Sequence, residues 1–535
     1  MPSRRRNYIF PVLFIALCSI GAGVFSGGRV RAASTPDEPV QQSFKAFTKV
    51  YDAVEQNFAD PVKPETGIYQ GAIPGMLREL DPHSTFFDPR AFKGINEEQS
   101  GHYFGIGMMV QSRNGKVIVN MPFAGSPAYK AGLHPGDVIL EVNDKKTDNL
   151  GVVEVADLLK GPKGTAVQVK VGREGSDQPL VFNLIRDEIP RYSVPDAFFI
   201  KPGIAYIKIE QFTETTAREL DEKLKSLGEN NIKGLVLDLR ANPGGLLNDG
   251  IEVAGHFLKR NQVVVSLRGL HQPQKTYTAR ADNGGREYPL VVLVNRLSAS
   301  AAEIVSGALQ DHDRGWILGE TTFGKGLVQQ VYRLSDNTGL ALTTAQYYTP
   351  SGRFIQRPYS NISFLDYYYH TNLDQKNAQD VKMTDSGRTV YGGGGITPDE
   401  KYTPEKYNLF QVEVVLRKFA LFNFSAYYFG SHPNVKLPKG WEPDEKVVDE
   451  FHEFLLKNKV KFTESDFTAN HQWIKEELKR EMYITAFSVD DSRHVAVEQD
   501  PEVQKGIDSL PKAKALVDNA KKMMVQRIAT QERAH

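Results

Sequence analysis

Two side chains, Ser300 and Lys325, are the strongest candidates for catalytic chemistry in this sequence. Ser300 opens a predicted helix, where free backbone N–H groups and the positive end of the helix dipole would stabilise a developing oxyanion. A lysine can take a proton from such a hydroxyl only when neutral, so its pKa must fall well below the free value of about 10.4 through burial. Phe323, Leu327 and Val328 are candidates for the apolar cover. A hydroxyl and an amine of these types could carry out acyl transfer, but neither residue alone establishes that chemistry.

Each of these residues also has a purely structural interpretation. Ser300 and Glu303 have the spacing of a capping box, and Lys325 taken alone is typical of a solvated loop. The segment Gly319–Lys325 is close to a phosphate-binding loop, but Gly326 stands where a serine or threonine should hold magnesium. The residues that follow resemble a strand rather than the required helix, which argues against nucleotide binding.

The candidate residues are expected to lie on alternating strands and helices. Leu290–Val294 is an apolar, β-branched run typical of a buried strand, and a helix is predicted from Ser300 to about Leu309. Further strands are predicted at Trp316–Gly319 and Leu327–Tyr332. This alternation predicts a layered α/β domain.

The segments SASAAEI (298–304) and GETTFGKGLVQQ (319–330) resemble the carboxyl-terminal processing, or tail-specific, serine protease family. The resemblance implies that Ser300 is the nucleophile, that Lys325 is the general base and that Gln329 orients the lysine. Ala302 stands where the family often has a further serine, a position that is not the nucleophile. The resemblance covers roughly residues 45 to 400.

A Gly-Gly turn follows the predicted central strand, residues 233–240. Glycine lets a substrate carbonyl approach a backbone N–H closely, so this turn suits an oxyanion hole, although a plain β-to-α turn would look the same. The family resemblance implies one donor at Gly244 or Gly245 and the other at Ala301.

Residues 98–182 resemble a PDZ domain, because turn and helix-start signals at residues 125–137 lead into an apolar strand, Val138–Asn143. The loop expected to bind a peptide carboxylate consists of Tyr103, Phe104, Gly105, Ile106 and Gly107. Its glycines would free backbone N–H groups for an anion, and the next strand, Met108–Gln111, would offer an edge for a peptide strand. The structural alternative is a simple glycine turn.

We therefore expect a multidomain α/β protein: a layered α/β Ser–Lys protease core with an inserted PDZ-like β domain and helical N- and C-terminal regions. The predicted boundaries are 1–33 for a signal peptide or membrane anchor, 34–97 for the N-terminal helical region, 98–182 for the PDZ domain, 183–400 for the catalytic domain and 401–535 for the helical extension. Residues 357–390 lengthen a passage that is short in the family, and their aromatic cluster, residues 364–369, suggests local packing or a partner surface. His83 is interpreted as structural.

The composition narrows the classes of partner. Basic and acidic residues number 65 each among 535, so the zero net charge argues against nucleic acid. The single cysteine, Cys18, excludes a disulfide framework, and no cluster has metal-ligand spacing, so no metal or other cofactor is expected. The expected partners are protein substrates bound by their C-terminal tails, with an adaptor or activator protein and a homo-oligomer as further candidates.

The N-terminus predicts export. A basic segment, Arg4–Arg6, precedes a largely apolar run from Tyr8 to Phe25, as in a secretion signal or an uncleaved anchor. We expect a periplasmic protein, or one anchored to the inner membrane by this segment; cleavage and anchoring are both compatible with the sequence.

Three alternatives remain open from the sequence. A histidine triad could use His312 or His256 as the base. A non-catalytic PDZ scaffold would be expected to have lost Ser300 or Lys325, and both are present. A Ser–Lys amidase acting on small molecules or cell-wall peptides would not need the carboxylate loop.

Overall fold

The structure, a computed structural model, describes residues 38–113, 115–173, 175–360, 362–369 and 380–534. The predicted signal peptide or anchor of residues 1–33 lies outside these ranges. Within them, no helix combines the length and the apolar character needed to cross a membrane.

The strands of the described residues, in chain order, are β1 (Thr85–Phe87), β2 (His102–Gly105), β3 (Met108–Arg113), β4 (Lys116–Pro122), β5 (Val138–Val142), β6 (Lys145–Lys146), β7 (Ala166–Gly172), β8 (Leu180–Ile185), β9 (Asp187–Pro190), β10 (Ala197–Lys201), β11 (Ile204–Lys208), β12 (Gly234–Asp238), β13 (Val263–Gly269), β14 (Gln272–Thr278), β15 (Leu290–Val294), β16 (Trp316–Gly319), β17 (Leu327–Arg333), β18 (Gly339–Tyr348), β19 (Val381–Met383), β20 (Thr389–Tyr391) and β21 (Glu400–Lys401).

The α-helices are α1 (Glu38–Asn57), α2 (Ile73–Arg78), α3 (Pro89–Gln99), α4 (Pro127–Lys130), α5 (Val152–Leu159), α6 (Thr216–Ser226), α7 (Leu247–Gly255), α8 (Ala301–Asp311), α9 (Phe364–Tyr369), α10 (Leu409–Gln411), α11 (Ala420–Ser431), α12 (Glu445–Lys457), α13 (Glu464–Ala469), α14 (His471–Ala486), α15 (Val489–Gln499), α16 (Pro501–Asp508) and α17 (Leu510–Ala534). Short π-helical segments, Glu65–Ala72 and Val412–Arg417, adjoin α2 and α10.

The chain divides into two units, and the first carries the predicted catalytic residues. Of the described residues, it contains those in the ranges 38–100, 192–402 and 506–534. Its main sheet has the strand order β10-β11-β12-β15-β16-β21, parallel from β11 onward and antiparallel at β10. Strands β12 and β15 are buried along their whole length, as expected of parallel strands covered on both faces.

Helices cover this sheet on both sides. Apolar residues of α6, α7 and α8 share one core with those of β12 and β15. On α16 and α17, Gly506 lies against Leu293, and Leu510 lies against Gly234. The predicted strands Leu290–Val294 and Trp316–Gly319 have the observed bounds, and the predicted layered α/β class is confirmed.

The topology brings the candidate residues to one edge of the sheet. Neighbouring parallel strands β12, β15 and β16 lead at their carboxyl ends to the Gly244-Gly245 turn, to Ser300 and to the Lys325 loop. In α/β sheets this edge is where ligands bind. A second, antiparallel sheet of the unit has the order β1-β18-β13-β14, with β17 paired to β18, and β17 carries Gln329.

The second unit combines residues 101–191 with residues 403–505. Its sheet has the order β3-β4-β5-β7-β8, with β6 on β5, around a core that includes Val119, Ile139 and Val169. This is the predicted PDZ-like β domain. Residues 403–505 are helical around a separate core containing Phe424, Phe451 and Ile474, which confirms the predicted helical C-terminal region.

Candidate active site

Ser300 stands at the N-terminus of α8 in a conformation that few side-chain-bearing residues adopt. Its φ is 53° and its ψ is −115°. Such a backbone costs roughly 1–3 kcal/mol and persists where the surroundings enforce it, often at functional sites. The side chain is fully buried, and Oγ has no hydrogen-bond partner among the described residues. A buried hydroxyl without a partner is uncommon in folded proteins and calls for an explanation.

The Glu303 carboxylate joins the main chain of Ser300 to that of the Lys325 loop. Its Oε2 accepts from the N–H of Ser300 at 2.9 Å and from the N–H of Lys325 at 2.8 Å. Its Oε1 accepts from the N–H of Gly324 at 2.7 Å and from the Thr322 hydroxyl at 2.5 Å. Burial raises the pKa of Glu303, while these four donors oppose the rise by favouring the ionised form. The expected capping residue is thus also a bridge between two segments.

The Lys325 side chain is fully buried, and its predicted apolar cover of Phe323, Leu327 and Val328 is buried too. Tyr347 provides a second bridge between the two segments. Its hydroxyl contacts the carbonyl oxygen of Lys325 and lies 3.2 Å from that of Ser300. The structure therefore brings Ser300 and Lys325 together from separate elements and keeps both side chains from water.

Gln329 lies on β17 with its side chain fully buried. Its Nε2 donates to Thr343 Oγ1 at 3.0 Å, which fixes the orientation of the amide. Its Oε1 has no partner among the described residues and could accept a hydrogen bond from an amine. This is the chemistry required of a residue that orients a lysine.

The glycine turn lies directly against Ser300. Gly244 has a φ of 98°, and a Cβ placed on it would lie 2.6 Å from Ser300 Cβ and 3.0 Å from the Ala301 nitrogen. Gly245 has a φ of 140°, and a Cβ there would lie 2.0 Å from the Phe212 oxygen. Both positions therefore require glycine. Ala301 is the first residue of α8, so its N–H belongs to the first turn and has no intrahelical acceptor.

Asn242 fixes the glycine turn relative to the segment that precedes Ser300. Its carbonyl oxygen accepts from the N–H of Ala299 at 2.9 Å, and its side-chain Nδ2 donates to the Ile209 oxygen. Its Oδ1 accepts from the N–H of Gly244 at 2.8 Å. That bond engages the Gly244 donor, so within this turn the geometry favours Gly245 as a partner for a substrate oxygen.

In the second unit, the predicted carboxylate loop is partly a strand. Tyr103, Phe104 and Gly105 belong to β2 and pair with β9. The carbonyl of Ile106 accepts from the Ala128 N–H, and that of Gly107 accepts from Phe123 N–H and Ser126 Oγ. Strand β3 follows and ends the strand order of its sheet, as an edge open to a peptide strand would.

Neither His312 nor His256 is bonded to Ser300, whose Oγ has no hydrogen-bond partner among the residues that the structure describes. Both ring nitrogens of His312 are engaged, Nδ1 with Asp385 at 2.7 Å and Nε2 with the Val263 oxygen at 2.8 Å. Burial alone would lower the pKa of His312, but these two bonds outweigh it and raise the pKa. Burial and the charge of Arg286 lower the pKa of His256. Among the described residues, no three side chains are grouped as metal ligands.

Residues that sequence reasoning missed complete the site. Glu303 was visible as a capping residue, but its bonds to residues 21 and 22 positions onward were not. Tyr367 was noted only as part of the aromatic cluster 364–369, and no role was predicted for the Tyr347 or Asn242 side chains, because the contacts of all three join distant parts of the chain. His83, interpreted as structural, is buried with its Nε2 2.9 Å from the hydroxyl of Tyr367.

Comparison with known proteins gives independent information. The family model described as peptidase family S41 matches residues 203–361, and the PDZ domain model matches residues 95–172. The carboxy-terminal-processing protease of Bartonella bacilliformis is 37% identical over 345 residues, which cover 63% of this chain and 79% of that protein. The carboxy-terminal processing protease CtpA of Bacillus subtilis is 33% identical over 397 residues, 72% of this chain and 83% of that protein. Among solved structures, the photosystem II D1 C-terminal processing protease is 25% identical, with a TM-score of 0.35 and coverage of 75% and 94% of the two chains.

Proposed function

The chain belongs to peptidase family S41, among the PDZ-containing carboxy-terminal processing serine proteases, and on this premise we propose that it cleaves proteins through a Ser300–Lys325 acyl-enzyme mechanism. The observation that carries the proposal is the single carboxylate oxygen, Glu303 Oε2, that binds the backbone N–H groups of both residues. Two side chains capable of the chemistry are thereby held on adjoining segments and away from water.

The proposed first step is attack of Ser300 Oγ on the scissile carbonyl carbon. Neutral Lys325 takes the hydroxyl proton as the O–C bond forms, and the carbonyl electrons move onto the oxygen. The donors proposed for that oxyanion are Ala301 with Gly244 or Gly245, and the engagement of Gly244 by Asn242 favours Gly245. When the tetrahedral species collapses, the C–N bond breaks and Lys325 returns the proton to the leaving amine.

The second step regenerates the enzyme. Water gives a proton to Lys325 while its oxygen attacks the acyl carbon, and the ester bond to Ser300 breaks as its Oγ is reprotonated. Gln329 is proposed to orient the lysine throughout, which is supported by its buried Oε1, an atom without a partner in the described part of the chain. These steps need only the side chains and backbone groups named above, with water as the second reactant.

We propose that the PDZ domain binds the C-terminal tail of the substrate. The loop Tyr103–Gly107 would receive the carboxylate, and edge strand β3 would pair with the peptide backbone. The position of β3 at the end of its sheet and the family membership support this proposal.

Export and assembly are also proposals. The basic and apolar residues 4–25 support an exported protein, periplasmic or anchored to the inner membrane. A homo-oligomer and an adaptor or activator protein remain predictions. Both kinds of protein contact are supported by helix α1, which exposes the apolar residues Phe44, Phe47, Val50 and Val54 that a second protein surface could cover.

Cleavage of an unstructured protein with a free C-terminus tests the catalytic proposal. The full-length chain should degrade it, whereas Ser300→Ala and Lys325→Ala should each lower kcat by at least about 1,000-fold. Binding of the same tail should survive in Ser300→Ala. Cleavage at the wild-type rate by either variant would refute the mechanism.

A further inference from the structure

The insertion that follows β18 contacts both catalytic segments. Tyr367 and Tyr368 of α9 are buried in one apolar cluster with Ala299, which precedes Ser300, and with Phe323, which lies two residues before Lys325. The Tyr367 ring meets the Phe323 ring edge-on with 5.7 Å between centroids. Local packing, one of the two roles expected for this aromatic cluster, is confirmed. The packing occurs next to Ala299 and Phe323, in the segments that carry Ser300 and Lys325.

The Tyr367 hydroxyl is held from two sides. It lies 2.9 Å from His83 Nε2 and 3.0 Å from the side-chain nitrogen of Gln356. The Gln356 NH₂ group can only donate, so the hydroxyl accepts from Gln356 and gives its own proton to His83. This assignment needs a neutral His83, and burial, together with the nearby charge of Arg357, lowers the pKa of His83 well below its ordinary value.

The contacts of the other ring nitrogen of His83, Nδ1, are also consistent with a neutral ring. Its Nδ1 lies 3.4 Å from the Tyr368 hydroxyl, which lies 3.2 Å from the Pro82 oxygen. An Nδ1–H donating to Tyr368 and a Tyr368 proton directed to Pro82 complete the chain of donors and acceptors. The buried polar groups of this cluster therefore satisfy one another.

Gln356 carries the network to the main chain beside the base. Its Oε1 accepts from the N–H of Gly326 at 2.8 Å, while the N–H of Arg357 donates to the Gly324 oxygen at 2.9 Å. The two residues flanking Lys325 are thus bonded to residues 356 and 357. The Arg357 guanidinium lies over the Phe323 ring, 3.9 Å from its centroid, and donates to the backbone carbonyl oxygen of Tyr367 at 2.9 Å.

We propose that Tyr367 is a positioning residue for the Lys325 base, acting through Gln356 and Gly326, and that His83 fixes the Tyr367 hydroxyl. The alternative is that these residues only stabilise the fold. The place of the contacts argues against that alternative, because they end on Gly324 and Gly326, the two residues that flank the base. The inference rests on the proposed function of Lys325.

The test uses Tyr367→Phe, which removes one oxygen and keeps the ring, in the full-length chain. We expect kcat to fall about tenfold with KM within about twofold, since the base is misplaced while substrate binding is untouched. The acidic limb of the kcat/KM–pH profile should move to higher pH, because a loosened loop admits water to the amine. Tyr348→Phe is the matched control, since its hydroxyl also has a hydrogen bond, to Gln346 at 2.9 Å, but outside this network.

Substitution of His83 provides a second measurement that does not depend on the folding of Tyr367→Phe. His83→Gln keeps an acceptor for the Tyr367 hydroxyl and should retain more of kcat than His83→Leu. The double variant His83→Leu/Tyr367→Phe should lose much less than the product of the two single losses, as expected for residues of one network.

Three results would overturn the inference: an unchanged kcat and pH profile in folded Tyr367→Phe, an equal loss in Tyr348→Phe, or no difference between His83→Gln and His83→Leu. Ser300→Ala separates this failure from a failure of the proposed function. If Ser300→Ala abolishes cleavage and Tyr367→Phe cleaves at the wild-type rate, only the positioning role is refuted. If Ser300→Ala still cleaves, the proposed function falls and the inference falls with it.

Discussion

The main chains of Ser300 and Lys325 meet at one atom, Oε2 of Glu303. The two amide nitrogens lie 2.9 and 2.8 Å from that oxygen and are therefore no more than about 6 Å apart. Tyr347 links the carbonyl sides of the same residues. The separation of the Ser300 and Lys325 main chains is thus set by hydrogen bonds that the Glu303 and Tyr347 side chains make with both.

Replacement of Glu303 tests this bridge. Each carboxylate oxygen of Glu303 accepts two hydrogen bonds. Glu303→Gln keeps the size of the side chain but replaces one of these oxygens with an NH₂ group, which can only donate. We expect kcat to fall by at least about 100-fold, and the free energy of unfolding to fall by about 2–4 kcal/mol, because buried donors lose their acceptor. Steady-state kinetics and urea unfolding measure the two effects. A variant with wild-type kcat would show that the bridge does not position the pair.

Substitution of Gly244 tests whether activity requires the turn to lie close to Ser300. The methyl group of Gly244→Ala would lie 2.6 Å from Ser300 Cβ, so the turn must move away from Ser300. We expect a loss of about 100-fold or more in kcat/KM, within the range known for removal of an oxyanion donor. Gly352→Ala is the matched control, since Gly352 has a φ of 85° but its added Cβ would meet nothing closer than 4.0 Å. If Gly244→Ala and Gly352→Ala lost similar amounts of kcat/KM, backbone strain rather than contact with Ser300 would explain the effect.

His312 provides a pH-dependent test of stability. Its pKa is raised in the folded chain, since the bonds to Asp385 and the Val263 oxygen outweigh burial. The protonated form is thus favoured by folding, and its contribution is fully present below the unfolded pKa of about 6.5 and is lost as pH rises through the folded pKa.

We therefore expect Asp385→Asn to lower the free energy of unfolding at pH 6 by about 0.5–1 kcal/mol, a modest value because Asp385 is half exposed, with the difference shrinking at higher pH. Denaturant unfolding at several pH values checks this. Cleavage should be unaffected, and a large loss of kcat would instead revive a histidine base.

Substitutions of two glycines, Gly107 and Gly125, test the role of the PDZ loop, because both have a φ of 75°. A Cβ on Gly107 would lie 2.4 Å from Ser126 Cβ, whereas a Cβ on Gly125 would meet nothing within 4 Å. We expect Gly107→Ala to weaken binding of a free-carboxylate tail peptide at least about tenfold, and Gly125→Ala to change it less than about twofold. Fluorescence anisotropy measures both. An amidated peptide bound as tightly as the free acid would contradict carboxylate recognition.

Sequence reasoning succeeded where the signal is local. Leu290–Val294 and Trp316–Gly319 were predicted with their observed bounds, since buried parallel strands are continuous apolar runs. The turn at Gly244 and the helix after Ser300 were also visible, because glycine pairs and capping spacing act within a few residues.

What the sequence did not reveal depends on contacts between distant residues. The Tyr367–His83 bond spans 284 positions, and nothing in the spacing of either residue indicates it. No pattern in the sequence indicated that residues 403–505 would join residues 101–191 in one unit. A capping box predicted the local bond of Glu303 to Ser300, but the second use of the same oxygen required the fold.

The most direct test of the account is covalent labelling with a serine-reactive fluorophosphonate, followed by mass spectrometry of the digested protein. We predict a single adduct on Ser300 in the wild-type chain and at least about 100-fold slower labelling in Lys325→Met, which keeps the length of the side chain but has no amine to take the proton. Labelling of Ser300 at the wild-type rate in Lys325→Met, or an adduct on a different serine, would contradict the Ser300–Lys325 mechanism.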